Sequence, residues 1–395
     1  MPRRILHFDL DAFFCAVEEA YNPALQGKAF AVGGKPNERG VVSSCSYAAR
    51  RNGVRSAMPM SQALRLSPGL IIVPPRHALY REVSHRVMAI LHDLTPLVEQ
   101  VSIDEAFLDI SDIREDSERL ARGLQARIRE KLHLPCSIGI ASNKLVAKIA
   151  TEVGKALALK RIKEQGLVEP PNAVTVVGFG EEAAFLSPLP VDMLWGVGPK
   201  TFKRLTELGI HTIGDLAKWP ENELLRLFGE NGRDLLRHAK GIDNRPIVTE
   251  REVKSISQEI TFRRDVREDR VLEKTLRKQA TEVARQLRKN DLAGKTIRLK
   301  IRWPDFTTLT RQITLPQPTD QAEEIARTAL ELMKSVRKSN QAVRLIGIGV
   351  SGLGQPIRQL GLWDMNVEKS RRLQEALDAL QEKYGMNVIQ RGDQI

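Results

Sequence analysis

Three acidic residues in two short segments could together support metal-dependent chemistry. Asp9 ends the apolar segment ILHFD, and Asp104 and Glu105 stand side by side in VSIDEAFLDI. Carboxylates brought together repel one another unless a cation lies between them. A site of oxygen ligands without His or Cys favours Mg²⁺ over zinc, and two such ions about 3.5–4 Å apart form a clamp for in-line phosphoryl transfer.

The adjacent carboxylates pose a geometric problem, because VSIDEAFLDI has the apolar composition of a half-buried strand. Successive side chains of a strand point to opposite faces, so Asp104 and Glu105 should diverge unless the backbone bends or the strand ends between them. We expect such a bend, which would let the two residues serve two ions from different angles. The alternative is a solvated turn without metal.

The elements around these acidic residues follow the order of a split βαββαβ, or ferredoxin-like, sheet. We expect its two helices to cover one face and to leave the other face open to carry a site. Ser117 is the predicted cap of the second helix. The predicted elements are a strand ending at Asp9, a Gly-, Ser- and Arg-rich insert at 28–75, a helix at 79–94, strands at about 97–103 and 105–111, a helix at 117–132 and the strand CSIGIA.

Two further segments follow this sheet. A third helix is predicted after Ser142, in SNKLVAKIATEVGK, and it leads into a Lys-rich connector, ALALKRIKEQGLVEPPNA, for which the pattern predicts no structure. Gly196 and Gly198 then stand in WGVGPKT just before a helix, with Lys200 following, which indicates a helix-hairpin-helix. Glycines there would let backbone N–H groups approach a phosphate. The alternative is a tight turn between core helices.

A second βαββαβ order extends from residue 251 to about residue 353, and it is strongly basic. Residues 251–350 contain 22 Lys and Arg but 13 Asp and Glu. In the strand TIRLKIRW, three cationic residues alternate with apolar ones, and such a row is costly unless an anion lies across it. We therefore predict a phosphate-contacting surface that includes Arg298, Lys300 and Arg302, with a solvated basic face as the alternative.

The composition restricts the class of protein. With 395 residues and 42% apolar residues, the chain is long enough for two to four globular domains. No apolar segment approaches the roughly 18 residues of a membrane span, and MPRRILHFDLDAFF lacks the features of a signal peptide, so a cytoplasmic protein is expected. The formal net charge of +12 predicts a polyanionic partner.

Five motifs in order resemble those of the Y-family lesion-bypass DNA polymerases, most closely the bacterial DNA polymerase IV type. They are FDLDAFFCAVEE, SYAARRNGVRSAMPM, SIDEAFLDI, SIGIASNKLVAKIA and WGVGPKT. The resemblance covers residues 5 to about 355. It implies an α+β, multidomain right-hand polymerase with a ferredoxin-like palm (1–11 and 76–166), small inserted fingers (12–75), a helical thumb with the helix-hairpin-helix (167–245), a βαββαβ little finger (251–355) and a C-terminal tail (356–395).

The same resemblance implies the roles of individual residues near the metals and the sugar. Asp9, the carbonyl of Leu10, Asp104 and Glu105 would hold two Mg²⁺ ions, one acting on the primer 3′-hydroxyl and the other accompanying the nucleoside triphosphate. Phe14 matches the steric gate against a ribose 2′-hydroxyl, and Phe13 would pack beside it. Core packing is the alternative for both rings.

The resemblance also implies a grip on the triphosphate by Tyr47 and Arg50, with Ser44 adding a hydroxyl. Lys155 matches a lysine that reaches the same phosphates, but Ala156 and the Lys-rich connector replace the proline and short loop that commonly follow it. The alternative for Lys155 is an exposed lysine at a helix C-terminus.

In the tail, four residues resemble the sliding-clamp binding peptide of bacterial polymerases. They are Gln359, Leu360, Leu362 and Trp363, with Trp where Phe is common and 32 residues following. Packing against the predicted helix at 368–384 is the alternative.

The resemblance implies a monomeric, low-fidelity translesion DNA polymerase that extends primer-template DNA with deoxynucleoside triphosphates during DNA repair and damage tolerance, without a proofreading exonuclease. A catalytically inactive DNA-binding scaffold and a structure-specific nuclease are the alternatives. The presence of all three acidic residues argues against an inactive scaffold. The gate and triphosphate-grip residues argue against a nuclease, which has no nucleotide to select.

Overall fold

A computed structural model describes residues 2–356 of the chain, together with 376 and 380. The chain divides between Arg251 and Glu252 into two compact units. No helix of the described residues is long and apolar enough to cross a membrane. The strands of the first unit are β1 (Ile5–Leu10), β2 (Phe30–Gly33), β3 (Val42–Cys45), β4 (Ile71–Val73), β5 (Val98–Gln100), β6 (Glu105–Asp109), β7 (Cys136–Ala141) and β8 (Val174–Val176).

Eleven α-helices accompany these strands in the first unit. They are α1 (Phe13–Tyr21), α2 (Tyr47–Arg51), α3 (Met60–Leu66), α4 (His77–His92), α5 (Ser117–Leu132), α6 (Lys144–Glu164), α7 (Glu182–Leu186), α8 (Pro199–Glu207), α9 (Ile213–Ala217), α10 (Glu221–Phe228) and α11 (Glu230–Ala239). The second unit contains β9 (Ser255–Val266), α12 (Asp269–Lys289), β10 (Ala293–Arg302), β11 (Thr308–Thr319), α13 (Ala322–Val336) and β12 (Val343–Gly354).

The central sheet of the first unit has the strand order β5-β6-β1-β7-β8. Its βαββαβ order is as predicted, with β1, α4, β5, β6, α5 and β7 in sequence. Leu6, Phe8 and Leu10 of β1 alternate toward the core that α4 and α5 contribute to. The strand β8 adds to this sheet by pairing parallel with β7, so the sheet extends beyond the palm boundary predicted at residue 166.

The prediction that the other face of this sheet is open is wrong, because α6 packs there. Gly139 of β7 permits the close approach, since a Cβ on it would lie 2.1 Å from the carbonyl oxygen of Ala147 in α6. Asn143 begins this helix by accepting a hydrogen bond from Val146 N at 3.0 Å. Ala and Leu continue it through the first half of the Lys-rich connector, and the helix ends at Glu164, shortly before Gly166.

The insert between β1 and α4 is a small subdomain with its own core. Its sheet has the order β3-β2-β4, and α2 and α3 complete it. The side chain of Ser46 begins α2 by accepting a hydrogen bond from Ala49 N at 3.2 Å. Buried apolar residues fill this core, namely Ala31, Val42, Cys45, Ala49, Val54, Met60, Ala63 and Leu70.

The cap predicted for α5 is off by one residue. Asp116, and not Ser117, caps the helix by accepting hydrogen bonds from the N–H groups of Glu118 and Arg119. A carboxylate at this position satisfies two free N–H groups and also complements the positive end of the helix. The Ser117 hydroxyl instead accepts a hydrogen bond from Arg4 at 3.2 Å.

The second unit is an antiparallel sheet of order β11-β10-β12-β9, and its elements follow the predicted βαββαβ order. Its core includes Leu272 and Leu276 of α12 and Ile325 of α13. Buried residues alternate with Arg298, Lys300 and Arg302 along β10, as the sequence pattern predicts, and these buried residues are Ile297, Leu299 and Ile301.

Candidate active site

The predicted bend lies between β5 and β6, and it separates the two adjacent carboxylates. The strand β5 ends at Gln100 and β6 begins at Glu105, so both strands are shorter than predicted. The N–H groups of Val101 and Ser102 both donate to the carbonyl of Glu105, at 2.9 and 3.2 Å, and close the turn. Asp104 therefore belongs to the turn, whereas Glu105 is the first residue of the strand.

A cleft of about 490 Å³ lies beside this turn and collects residues from distant parts of the first unit. The N–H of Leu10 donates to the carbonyl of Asp104 at 3.0 Å and thereby holds the end of β1 against the turn. All predicted metal and nucleotide residues except Glu105 line the cleft. They are Asp9, Leu10, Phe13, Phe14, Ser44, Tyr47, Arg50, Asp104 and Lys155.

Asp9 and Lys155 form an ion pair at this cleft, with 2.6 Å between Oδ1 and Nζ. Burial raises the pKa of Asp9, and Lys155 opposes this shift. Burial alone would lower the pKa of Lys155, but Asp9, Glu152 and Asp11 raise it above the ordinary value. Lys155 lies in the middle of α6, with 17% of its side chain exposed, so the alternative of an exposed lysine at a helix C-terminus is wrong.

Glu105 is directed toward α6 and is paired there. It accepts a hydrogen bond from Nε2 of the fully buried His7 at 2.7 Å and a second, short one from Lys148. Burial would raise the pKa of Glu105, but the hydrogen bonds from His7 and Lys148 hold it at about 2. Burial lowers the pKa of His7, and its Nδ1 lies 2.8 Å from the hydroxyl of Thr151.

Three lysines on α6 pair with three acidic residues on three adjacent strands. Lys144 binds Glu99 of β5 at 2.8 Å, Lys148 binds Glu105 of β6, and Lys155 binds Asp9 of β1. Intervals of four and seven residues place these lysines on one side of a helix. The sequence pattern contained this signal as the spacing K-x3-K-x6-K, but only the packing of α6 on the sheet gives each lysine its partner.

Asp11 is a further residue near the cleft, and the sequence interpretation did not single it out. It is almost fully buried, and both of its carboxylate oxygens lie 2.9 Å from the hydroxyl of Ser137. The N–H of Asn172 donates to it at 3.0 Å, and Lys155 Nζ lies 4.0 Å away. Burial raises the pKa of Asp11 to about 6. Its place two residues after Asp9 was the signal available in the sequence, although the strand itself ends at Leu10.

The ligand chemistry of the cleft fits Mg²⁺, although the expected convergence of three carboxylates is absent. Across residues 2–356, no three Asp, Glu, His or Cys side chains are grouped closely enough to hold one ion. Asp9, Asp104 and the Leu10 backbone border the cleft and offer only oxygen ligands, which suit a hard cation. Glu105 differs from these ligand candidates, because its carboxylate is already hydrogen-bonded to His7 and Lys148.

Four of the predicted nucleotide-binding residues occupy the first turns of α1 and α2, whereas Ser44 lies in β3 and Lys155 in α6. The guanidinium of Arg50 lies 4.9 Å from the centre of the Tyr47 ring, and its Nε donates to the carbonyl of Cys45 at 3.2 Å. Burial raises the pKa of Tyr47, so its hydroxyl stays protonated at neutral pH. Phe13 is buried, whereas Phe14 is only partly buried and borders the cleft.

The predicted DNA-binding residues lie outside the cleft. Gly196 has a φ of +103°, and Gly198 is the N-terminal cap of α8. Within the described residues, no heavy atom lies within 4 Å of a Cβ built on either glycine, so their backbones are open to a ligand. Lys200 is exposed in the first turn of this helix. Trp195, just before the hairpin, stacks on Phe107 of β6 with ring centres 6.0 Å apart.

The basic row on β10 belongs to the second unit. Lys300 is paired with Glu259 of β9 at 2.7 Å, and Arg302 donates to the hydroxyl of Thr308 at 2.8 Å, whereas Arg298 is exposed. The predicted clamp-binding residues lie outside the described part of the chain, and they are Gln359, Leu360, Leu362 and Trp363.

Comparisons with known proteins match nearly the whole chain to DNA polymerases of one family. Residues 8–152 match the impB/mucB/samB family, residues 253–362 match the C-terminal domain of that family, and residues 192–243 match the thumb domain of DNA polymerase-iota. A DNA polymerase IV from Dehalococcoides mccartyi is 41% identical over 394 residues, which cover 99% of this chain and 97% of the relative. A DNA polymerase IV from Streptomyces coelicolor is 44% identical over 355 residues, covering 88% and 71%.

Solved structures similar to this chain are also DNA polymerases, at lower sequence identity. A Y-family DNA polymerase chimera of Dbh and Dpo4 is 27% identical and superimposes with a TM-score of 0.77, covering 89% of this chain and 99% of that chain. An insertion ternary complex of Dbh DNA polymerase is 28% identical, with a TM-score of 0.61 and the same coverage.

Proposed function

The chain belongs to the Y-family DNA polymerases, and we propose that the cleft at the end of β1 is its polymerase active site. It is a DNA-directed DNA polymerase of the lesion-bypass, polymerase IV type. The observation that carries the proposed site is that Asp9, Asp104 and the cationic Lys155 border one cleft with the other nucleotide-binding candidates. Such a cleft can receive both a cation and a polyphosphate.

We propose that this site uses two Mg²⁺ ions, because divalent metal dependence is general in the family. Asp9, Asp104 and the Leu10 carbonyl would hold them, with Glu105 as a further ligand. When bound, the ions would lower the pKa of the primer 3′-hydroxyl and neutralise charge on the triphosphate. Glu105 can take part only by exchanging its pairing with Lys148.

The residues of the chain itself would bind the nucleotide and orient it. Arg50 offers a planar fork of N–H donors to phosphate oxygens, and the protonated hydroxyl of Tyr47 can donate to the same group. On binding, Lys155 would leave Asp9 and contact a phosphate oxygen, and Asp9 would contact the metal instead. Phe14 would stand at the sugar, where its ring would reject a ribose 2′-hydroxyl.

We also propose that synthesis is error-prone and lacks proofreading. The fingers subdomain is small, so little steric checking would support the hydrogen-bond geometry of the new base pair.

The palm, fingers and thumb would lie in the first unit and the little finger in the second. The hairpin at Gly196 and Gly198 and the basic row on β10 would contact the backbone of primer-template DNA. The protein would act as a monomer, and its C-terminal tail would tether it to a sliding clamp.

Primer extension with Mg²⁺ and deoxynucleotides tests the active site. We expect Asp104→Asn to reduce the rate at least a hundredfold, because even residues that only support metal ligands cost about 10–100-fold when replaced. Asp112→Asn, at an exposed carboxylate in the loop after β6, is the matched control and should extend primers normally. Undiminished extension by Asp104→Asn would contradict the assigned cleft.

A second experiment separates polymerase from nuclease. Labelled primer-template would be incubated with Mg²⁺ and no nucleotide, and the product lengths would be compared with those of the complete reaction. We expect unchanged primers without nucleotide and longer ones with it. Shortening that disappears in Asp104→Asn would instead assign the cleft to phosphodiester hydrolysis.

A further inference from the structure

A buried carboxylate that the proposed chemistry does not use lies behind the cleft, on α1. Glu18 follows Phe14 by four residues, so the two side chains share one side of the helix. Phe14 borders the cleft, whereas Glu18 does not and has only 3% of its side chain exposed. A carboxylate buried this deeply requires partners, since an unpaired buried charge is strongly unfavourable.

Tyr80 of α4 contacts both of these residues. Its ring stacks on the ring of Phe14, with centres 4.3 Å apart and planes inclined by 13°. Its hydroxyl donates to Oε1 of Glu18 at 2.6 Å. Tyr80 is fully buried and is absent from the lining of the cleft, so it supports Phe14 from the side away from the cleft.

Arg76 completes the anchor. Its guanidinium donates to both oxygens of Glu18, at 2.9 and 2.5 Å, and so compensates the buried charge with a bidentate pair. Because Arg76 immediately precedes α4, the pair also fixes the start of the helix that carries Tyr80. Glu18 thus connects the helix of Phe14 with the helix of Tyr80 through three hydrogen bonds.

We propose that Glu18 is a positioning residue for sugar selection, acting through Tyr80 on Phe14. This inference rests on the proposed role of Phe14 as the gate. A ring excludes one additional oxygen only if it cannot withdraw when that oxygen presses on it. The stacked Tyr80 occupies the space into which Phe14 would withdraw, and the bond from its hydroxyl to Glu18 keeps Tyr80 in place.

Two variants test this inference by different routes. Tyr80→Phe keeps the stacked ring and removes only the hydroxyl. Glu18→Gln keeps the size of the side chain, but its NH₂ group must face a donor, which disrupts the bonds from Tyr80 or Arg76. The control is Glu19→Gln, the same substitution at the neighbouring position, where no contact with Phe14, Tyr80 or Arg76 is seen among the described residues.

The measurement is the ratio of kcat/KM for a deoxynucleotide to kcat/KM for the matching ribonucleotide in single-nucleotide insertion. This ratio is independent of the fraction of folded enzyme, because both substrates are compared on one preparation. We expect the ratio to fall about threefold to tenfold in Tyr80→Phe and in Glu18→Gln, the range for one lost hydrogen bond. It should stay at the wild-type value in Glu19→Gln. If Glu18→Gln does not fold, Tyr80→Phe decides alone.

Phe14→Ala distinguishes failure of this inference from failure of the gate. If Phe14→Ala relaxes sugar selection and both anchor variants keep the wild-type ratio, the role of Glu18 is refuted and the gate stands. If Phe14→Ala itself keeps the wild-type ratio, the gate is refuted, and the role of Glu18 with it. Where both hold, adding Glu18→Gln to Phe14→Ala should cause no further loss, because Glu18 acts through that ring.

Discussion

Asp9 and Glu105 are register partners on the antiparallel strands β1 and β6, yet their carboxylates are paired with different lysines of α6. Lys148 and Lys155 are seven residues apart, which is about two helical turns. A single helix laid across the sheet therefore supplies a separate cation to each of two proposed metal ligands. Binding of metal and nucleotide at this site would require the Lys148–Glu105 and Lys155–Asp9 ion pairs to exchange partners.

Lys155→Ala should weaken nucleotide use more than it weakens folding. Removing a hydrogen bond to a charged group costs about 1.5–3 kcal/mol, so we expect kcat/KM for the incoming deoxynucleotide to fall about tenfold to a hundredfold. Steady-state single-nucleotide insertion measures this effect. Lys160→Ala, at an exposed position of the same helix, is the matched control. Equal losses in the two variants would indicate a general charge effect and contradict a specific role for Lys155.

The sequence predicted the order of elements in both sheets but not the covering of the palm sheet by α6. Element order follows from local apolar periodicity, which the sequence displays directly. The length of α6 depended on nine residues after Lys155 that are strongly charged and lack a clear apolar period, so their helical state was not predicted. The close approach at Gly139 is a tertiary contact that a single glycine in a strand does not reveal.

Gly139→Ala tests whether this close approach is required. The added Cβ would lie 2.1 Å from the carbonyl of Ala147 and 2.6 Å from Thr151 N, both of which are backbone atoms of α6. The helix would have to shift, at a cost of about 3 kcal/mol or more in the free energy of unfolding. Denaturant unfolding measures it. Gly123→Ala, at an exposed position of α5 with no neighbour near its Cβ, should instead stabilise by about 1 kcal/mol. A tolerated Gly139→Ala would contradict the packing described.

The buried pair of Lys144 and Glu99 makes a different prediction. Lys144 is the first residue of α6, where the helix dipole disfavours a cation, and Glu99 compensates it at 2.8 Å. Lys144→Met leaves a buried carboxylate with fewer partners and should cost about 3 kcal/mol. Adding Glu99→Gln removes that charge and keeps an acceptor for Val248 N, but it gives up the hydrogen bond from Arg251, so the double variant should recover part of the loss. Additive losses in a double-mutant cycle would contradict direct coupling.

The candidate site was predicted unevenly, and the difference has a physical basis. The sequence could name the motif residues that line the cleft, because their types and order match those of a known family. His7, Asp11 and Lys148 were missed because their importance arises from pairing across the sheet and α6. Asp104 and Glu105 were expected to converge, but a turn that ends just before a strand directs neighbouring side chains toward different partners.

Glu19→Gln should stabilise the protein at alkaline pH and have little effect at acidic pH. Burial alone raises the pKa of Glu19 from 4.5 to about 7 in the folded protein. Between these values the folded state binds the proton more tightly than the unfolded state does, so the wild type loses stability as the pH rises. The variant carries no such charge. We expect its advantage in the free energy of unfolding to be absent below about pH 4.5 and to reach about 1–2 kcal/mol above pH 7, allowing for partial exposure. Denaturant midpoints at pH 5 and pH 8 measure it, and a pH-independent difference would contradict the burial of this carboxyl.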